Sequence, residues 1–132
     1  MTYFTPQLDD LYLIEYKELQ GSKESTTRPC LILEIKNGYA LCLPYSASDT
    51  YYDIDGKFCK RGKYDIKQPK FGGRTKDGWL AFGTAAWFKL TKKGELNAKR
   101  SLGFAPLKYA EQAYNGWLSY LERTGYQPPF YG

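Results

Sequence analysis

The apolar positions in the first half of the chain come in short, strand-length runs separated by turn residues. Leu11 to Tyr16 (LYLIEY) carries the alternation of a first strand. Pro29 to Ile35 (PCLILEI) and Ala40 to Pro44 flank the tetrapeptide Lys36-Asn37-Gly38-Tyr39. Asn-Gly accepts positive φ at both centres of a two-residue turn, so these runs are predicted to form a tight β-hairpin. A second hairpin is expected to turn at Asp55-Gly56, between Tyr51 to Ile54 and Lys57 to Lys60. Residues 62–78, rich in Gly, Pro and Lys, read as a long loop, and Trp79 to Phe82 and Ala86 to Leu90 read as further strands.

The period changes near the end. Pro106 opens a helical stretch over about 106–123, and Gly125 stops it after Arg123-Thr124. Leu107, Ala110, Tyr114, Trp117, Leu118 and Leu121 recur at helical spacing and form one apolar stripe, expected in the core rather than at a partner groove. Gly116 weakens this helix by ~1 kcal/mol relative to Ala, so packing must hold it. The tail TGYQPPFYG reads as extended and adhesive. The order predicts an α+β, mainly β, single domain over 1–132, a small bent sheet capped by a C-terminal helix.

At 132 residues and 42% hydrophobic composition, the chain has enough apolar surface for one core. Its longest apolar runs fall far short of the ~20 residues of a membrane helix. The start, MTYFTPQLDD, is acidic where an export signal would be basic and then apolar, so a cytoplasmic protein without membrane contact is expected. The chain has no histidine, which removes the usual general acid/base, the His-paired nucleophile and most catalytic zinc sites. Cys30, Cys42 and Cys59 show no CxxC pairing, and Cys30 and Cys42 sit in apolar runs as small core residues. No glycine-rich phosphate loop precedes a helix. No metal or cofactor is expected, and any catalysis must rest on Arg, Lys, Tyr, Ser, Thr or carboxylates.

The formal charge of +5 is unevenly spread. Residues 57–100 hold thirteen basic and three acidic residues, a net of +10, which leaves the remainder at −5. The densest part, KFCKRGKYDIKQPKFGGRTK, interleaves Phe58, Tyr64 and Phe71 among the cations. Phosphate neutralisation combined with base stacking on aromatic faces is how single-stranded nucleic acid is held without strict base reading. A solvated loop that keeps the protein soluble has the same composition.

The stretch from Asp9 to Ser48 resembles the N-terminal half of the MazF/PemK endoribonuclease toxins. Asp10 and LYLIEY match the family's first strand, Gly21-Ser22-Lys23-Glu24 its loop, Arg28-Pro29 its entry into an apolar strand, and ALCLPYSA the next strand, ending on Ser46. The remainder agrees only in outline, as more strands and a final helix. The resemblance implies an SH3-like barrel of the MazF/PemK/CcdB type, a homodimer, and metal-independent, sequence-specific cleavage of single-stranded RNA (mRNA) through 2′-OH attack. It implies neutralisation by an acidic antitoxin protein. It also places Arg28 and Ser46 as the catalytic pair, with Glu24 as the candidate base. A guanidinium stabilises a phosphorane by charge-assisted hydrogen bonds, and RNA brings its own nucleophile.

Two departures stand out. Where some members have Glu directly after Gly-Ser, this chain has Lys23, with Glu24 one step later, and WLAFGTAAW lacks the Arg-x-Asp pair of another branch. Candidate RNA contacts are Lys23, Thr27, Lys57, Lys60, Arg61, Lys63 and Tyr64; the basic ones serve RNA, an acidic antitoxin or solvent equally well. Bland readings stand beside these: Arg28 as a surface residue entering a strand, Ser46 as a turn residue, Glu24 as a loop charge. The alternative function is a non-catalytic barrel, phage- or plasmid-borne, that binds nucleic acid or a protein partner.

Overall fold

The computed structural model describes residues 2–17 and 25–131. In chain order the strands are β1 (Thr2–Phe4), β2 (Asp10–Lys17), β3 (Ser25–Lys36), β4 (Tyr39–Ser46), β5 (Thr50–Tyr52), β6 (Phe58–Lys60), β7 (Lys67–Gln68) and β8 (Gly78–Leu80). A 3-10 turn at Phe82–Thr84 leads to β9 (Ala86–Lys89), β10 (Leu96–Ala98), β11 (Arg100–Phe104), helix α1 (Leu107–Thr124) and β12 (Phe130–Tyr131). The main sheet runs β11-β2-β3-β4-β8-β7 and is antiparallel throughout that path. β4 changes partner along its length, pairing with β9 through Tyr39–Cys42 and with β8 through Tyr45–Ser46. That exchange curls the sheet into a half-barrel, with α1 as its cap.

The hairpin between β3 and β4 turns at Asn37 (φ 52°) and Gly38 (φ 79°), the left-handed pair that such a turn requires. Alternate residues of β2, β3 and β4 then feed two cores. Leu11, Leu31, Leu41 and Leu43 face α1. Tyr12, Ile14, Cys30, Ile32, Ala40 and Cys42 face the opposite way, toward Leu96 and Ala98 of β10 and Phe4 of β1. Burial on both faces is why PCLILEI and ALCLP are continuous apolar runs rather than alternating ones. Cys30 and Cys42 are buried core residues, as their apolar context suggested.

Four expectations need revision. The Asp55-Gly56 hairpin exists as β5 and β6, but its turn runs from Asp53 to Lys57, because the Asp53 carboxylate accepts the N–H groups of both Asp55 and Lys57 at 2.9 Å. The strand expected from Trp79 to Phe82 ends at Leu80 and gives way to the 3-10 turn. The loop at 62–78 contains β7, and Gln68 is wholly buried there. Its amide accepts from the Tyr45 hydroxyl (2.7 Å) and donates to the Tyr109 carbonyl (2.9 Å), tying the loop to the sheet and the helix.

The fourth concerns α1. It starts after Pro106 and ends at Gly125 (φ 66°) as the sequence implies, but only part of the apolar stripe is core. Ala110, Ala113 and Trp117 are buried, whereas Leu107, Tyr114 and Leu118 are 70%, 47% and 46% exposed. The core side of the helix is formed by Ala110, Ala113 and Trp117, with Leu121 packed against it, while Leu107, Tyr114 and Leu118 fall outside the contact. Gly116 has a packing reason as well: a Cβ there would meet Ile66 Cδ1 at 2.5 Å and Phe82 Cζ at 2.8 Å. The tail is extended, with β12 pairing in parallel with β9 and Phe130 stacked on Trp87 at 5.9 Å.

Candidate functional site

The β3–β4 register, continued past its last pair, sets the candidate catalytic pair on one face of the sheet. That register runs through Cys30 opposite Pro44, and Arg28 and Ser46 each lie two residues beyond that pair, on the strand face of Cys30 and Cys42. Arg28 pairs with Ile14 on its other side, and Ser46 pairs with Trp79 of β8. Ser46 is buried, and its Oγ accepts the Ser48 N–H at 3.2 Å, leaving its own proton available to donate. Thr27 alternates onto the other face of β3 and does not share the site with Arg28.

The third member is Arg61, just past β6. Its side chain is only 6% exposed, unusual for a guanidinium. The Cζ atom lies 4.5 Å from the centre of the Tyr51 ring and 6.0 Å from that of Trp79. Nε donates to the Ser48 carbonyl (3.3 Å), and Nη1 faces the Asp65 carboxylate at 3.7 Å. Burial lowers its pKa, Asp65 and Tyr51 oppose that fall, and the positive charge of Arg28 adds to it. An anion shared by Arg28 and Arg61 would stabilise both cations, Arg61 the more so because its side chain is largely covered.

Aromatic groups frame this centre. Trp79 donates its indole N–H to Asp49 (3.0 Å), and Lys67 Nζ lies 5.6 Å from the Trp79 ring. Tyr51, Trp79, Asp49, Asp65 and Lys67 were not singled out in the sequence. They come from three separate segments, and only the spacing of Arg61 and Asp65 offered any signal.

The other candidates do not converge on Arg28 and Ser46. Lys57 is exposed in the hairpin turn, and Lys60 is exposed on β6, whose alternation sets it with Phe58 rather than with Cys59, the partner of Tyr51. Lys63 lies over the Tyr64 ring (4.9 Å), as does Arg123 of α1 (4.4 Å), so Tyr64 forms a second, peripheral cation–aromatic group. Arg74, part of the basic segment, is buried against Tyr45 (3.6 Å) and donates to the Pro69 and Lys76 carbonyls, a structural role. Lys23 and Glu24, with the whole Gly-Ser loop, lie outside the described residues.

Among the described residues no group of three or more Asp, Glu or Cys side chains is arranged to hold a metal ion. No helix among them is long and apolar enough to cross a membrane. No protein-family model matches the chain, and a search of curated proteins finds none similar to it.

Proposed function

We propose that the protein is a metal-independent endoribonuclease of the MazF/PemK toxin type, acting on single-stranded RNA at the Arg28–Ser46–Arg61 centre. The supporting observation is the largely covered Arg61 guanidinium beside Trp79, the register partner of Ser46, at the end of β4. The ribose 2′-OH attacks the adjacent phosphorus, the P–O5′ bond breaks, and a 2′,3′-cyclic phosphate and a 5′-hydroxyl end form. The 2′-OH proton passes to a base and the 5′-oxygen takes one up. Arg28 and Arg61 stabilise the phosphorane charge, and the Ser46 hydroxyl donates to a non-bridging oxygen. Glu24 remains the base assigned by resemblance. Tyr51 and Trp79 flank the Arg61 guanidinium, and the excess of basic residues along 57–100 attracts either RNA or an acidic antitoxin segment.

A second reading, a non-catalytic nucleic-acid-binding barrel, has one observation in its favour: the carboxylates at the centre are already engaged, Asp49 by Trp79 and Asp65 by Arg61. Incubation of the protein with long, mixed-sequence single-stranded RNA in EDTA separates the two. The enzyme reading expects discrete fragments ending in 2′,3′-cyclic phosphate, with cleavage reduced at least ~100-fold by Arg28→Ala. Intact RNA with a salt-sensitive mobility shift would replace it with the binding module.

A further inference from the structure

The part of α1 that the sheet leaves open borders a groove. Between the first half of the helix and the end of β3 lies a cavity of about 420 Å³, walled by Leu33, Ile35, Leu107 and Tyr114. A β-bulge between Ile32 and Glu34 brings this end of β3 into the wall. The charged groups lining it are Asp9, Glu34 and Glu111, with no Lys or Arg from the described residues. The neighbouring Lys108 folds its ammonium over the Tyr109 ring, 5.2 Å from its centre. In a chain of net charge +5, this is an acidic pocket with an apolar floor.

Asp9 has an uncommon backbone. Its φ is 71°, and outside the Asn37 turn no other non-glycine residue among those described is left-handed. Two hydrogen bonds hold it there, from its N–H to the Ile32 carbonyl (3.0 Å) and from the Ala105 N–H to its carbonyl (2.8 Å). Burial and the charge of Asp10 both raise the pKa of its carboxyl, so a cation brought alongside would be favourable.

We infer that this groove docks an amphipathic cationic segment of a protein partner, its apolar side chains in the trough and its Lys or Arg residues against Asp9, Glu34 and Glu111. Self-association through a two-fold axis fits poorly, because it would bring the same acidic patch against itself. An acidic segment suited to the Arg28–Arg61 centre would be repelled here. The molecule therefore presents two surfaces for partners of opposite charge, and this one does not depend on the ribonuclease reading.

The test is an NMR titration of the isotope-labelled chain with two synthetic amphipathic helices of about 14 residues, one with a lysine polar face and one with a glutamate polar face. The lysine peptide should shift the amides of Leu33–Ile35 and Leu107–Asn115, and the glutamate peptide should leave them in place. The Glu34→Lys/Glu111→Lys double variant, with its other amide positions unchanged, should bind the lysine peptide at least tenfold more weakly. Equal binding of the two peptides, shifts mapping elsewhere, or no binding would overturn the proposal. Groove shifts that grow with protein concentration alone would also overturn it, in favour of a second copy.

Discussion

At the scale of single residues, two closely packed groups carry sharp consequences. Gly116 to Ala should gain ~1 kcal/mol of helix propensity, yet the new methyl would stand within 3 Å of Ile66 and Phe82. Overpacking of this kind costs ~1–3 kcal/mol. The expected outcome is a lower urea midpoint for Gly116→Ala; a raised midpoint would show that Ile66 and Phe82 can give way without cost. Tyr45 is the second case. Burial pushes its phenol well above the ordinary value, against the opposing charge of Arg74, and its hydroxyl donates to buried Gln68. Because the folded state holds this proton more tightly than the unfolded chain, its contribution is complete below pH ~10 and is lost as pH rises beyond it. Tyr12 and Tyr126 are raised in the same direction by burial. The denaturation midpoint should therefore stay level to about pH 9 and fall above about pH 10.

Elements show where sequence signals suffice. The Asn37-Gly38 turn was legible because its φ values depend on two adjacent residues, and the limits of α1 because Pro106 and Gly125 act locally. β10 and β11 were not, since NAKRSLGF has no apolar run and is a pair of strands only through its distant partners β1 and β2. Which part of the helix stripe is core was equally hidden, because burial follows what packs against each position, which the period does not reveal. Within the candidate site, Arg28 and Ser46 rest on the family resemblance of two strand segments. The Trp79–Asp49 bond joins residues 30 apart, and the ring contacts of Arg61 reach across a hairpin, so no local pattern contains them.

The β5–β6 hairpin carries a prediction of its own. The Asp53 carboxylate is held below its ordinary pKa, chiefly by the Lys57 N–H and also by the Asp55 N–H. Its contribution is complete above the ordinary carboxylate value of about 4 and is lost as pH falls through the lower value of the folded state. Asp53→Ala should speed amide exchange across 50–60 by at least ~10-fold while leaving β3 and β4 unchanged. Protection that survives this substitution would assign the order of the hairpin to the Tyr52–Phe58 ring contact instead.

For the molecule as a whole, charge and topology act together. The exchange of β4 between β9 and β8 curls the sheet so that the strand end bearing Ser46 meets the segment bearing Arg61, part of the basic stretch 57–100. The acidic groove lies beside α1 and draws on a different part of the chain. The central claim is that Arg28 and Arg61 form one anion-binding centre. A double-mutant cycle tests it most directly: binding of a non-cleavable single-stranded DNA oligonucleotide to wild type, Arg28→Ala, Arg61→Ala and the double variant, at one fixed salt concentration. Residues that grip one phosphate should be coupled by about 0.5–3 kcal/mol, so the double variant should lose less affinity than the two single losses added together. Losses that add independently would mean two separate contacts, and the single centre would be contradicted.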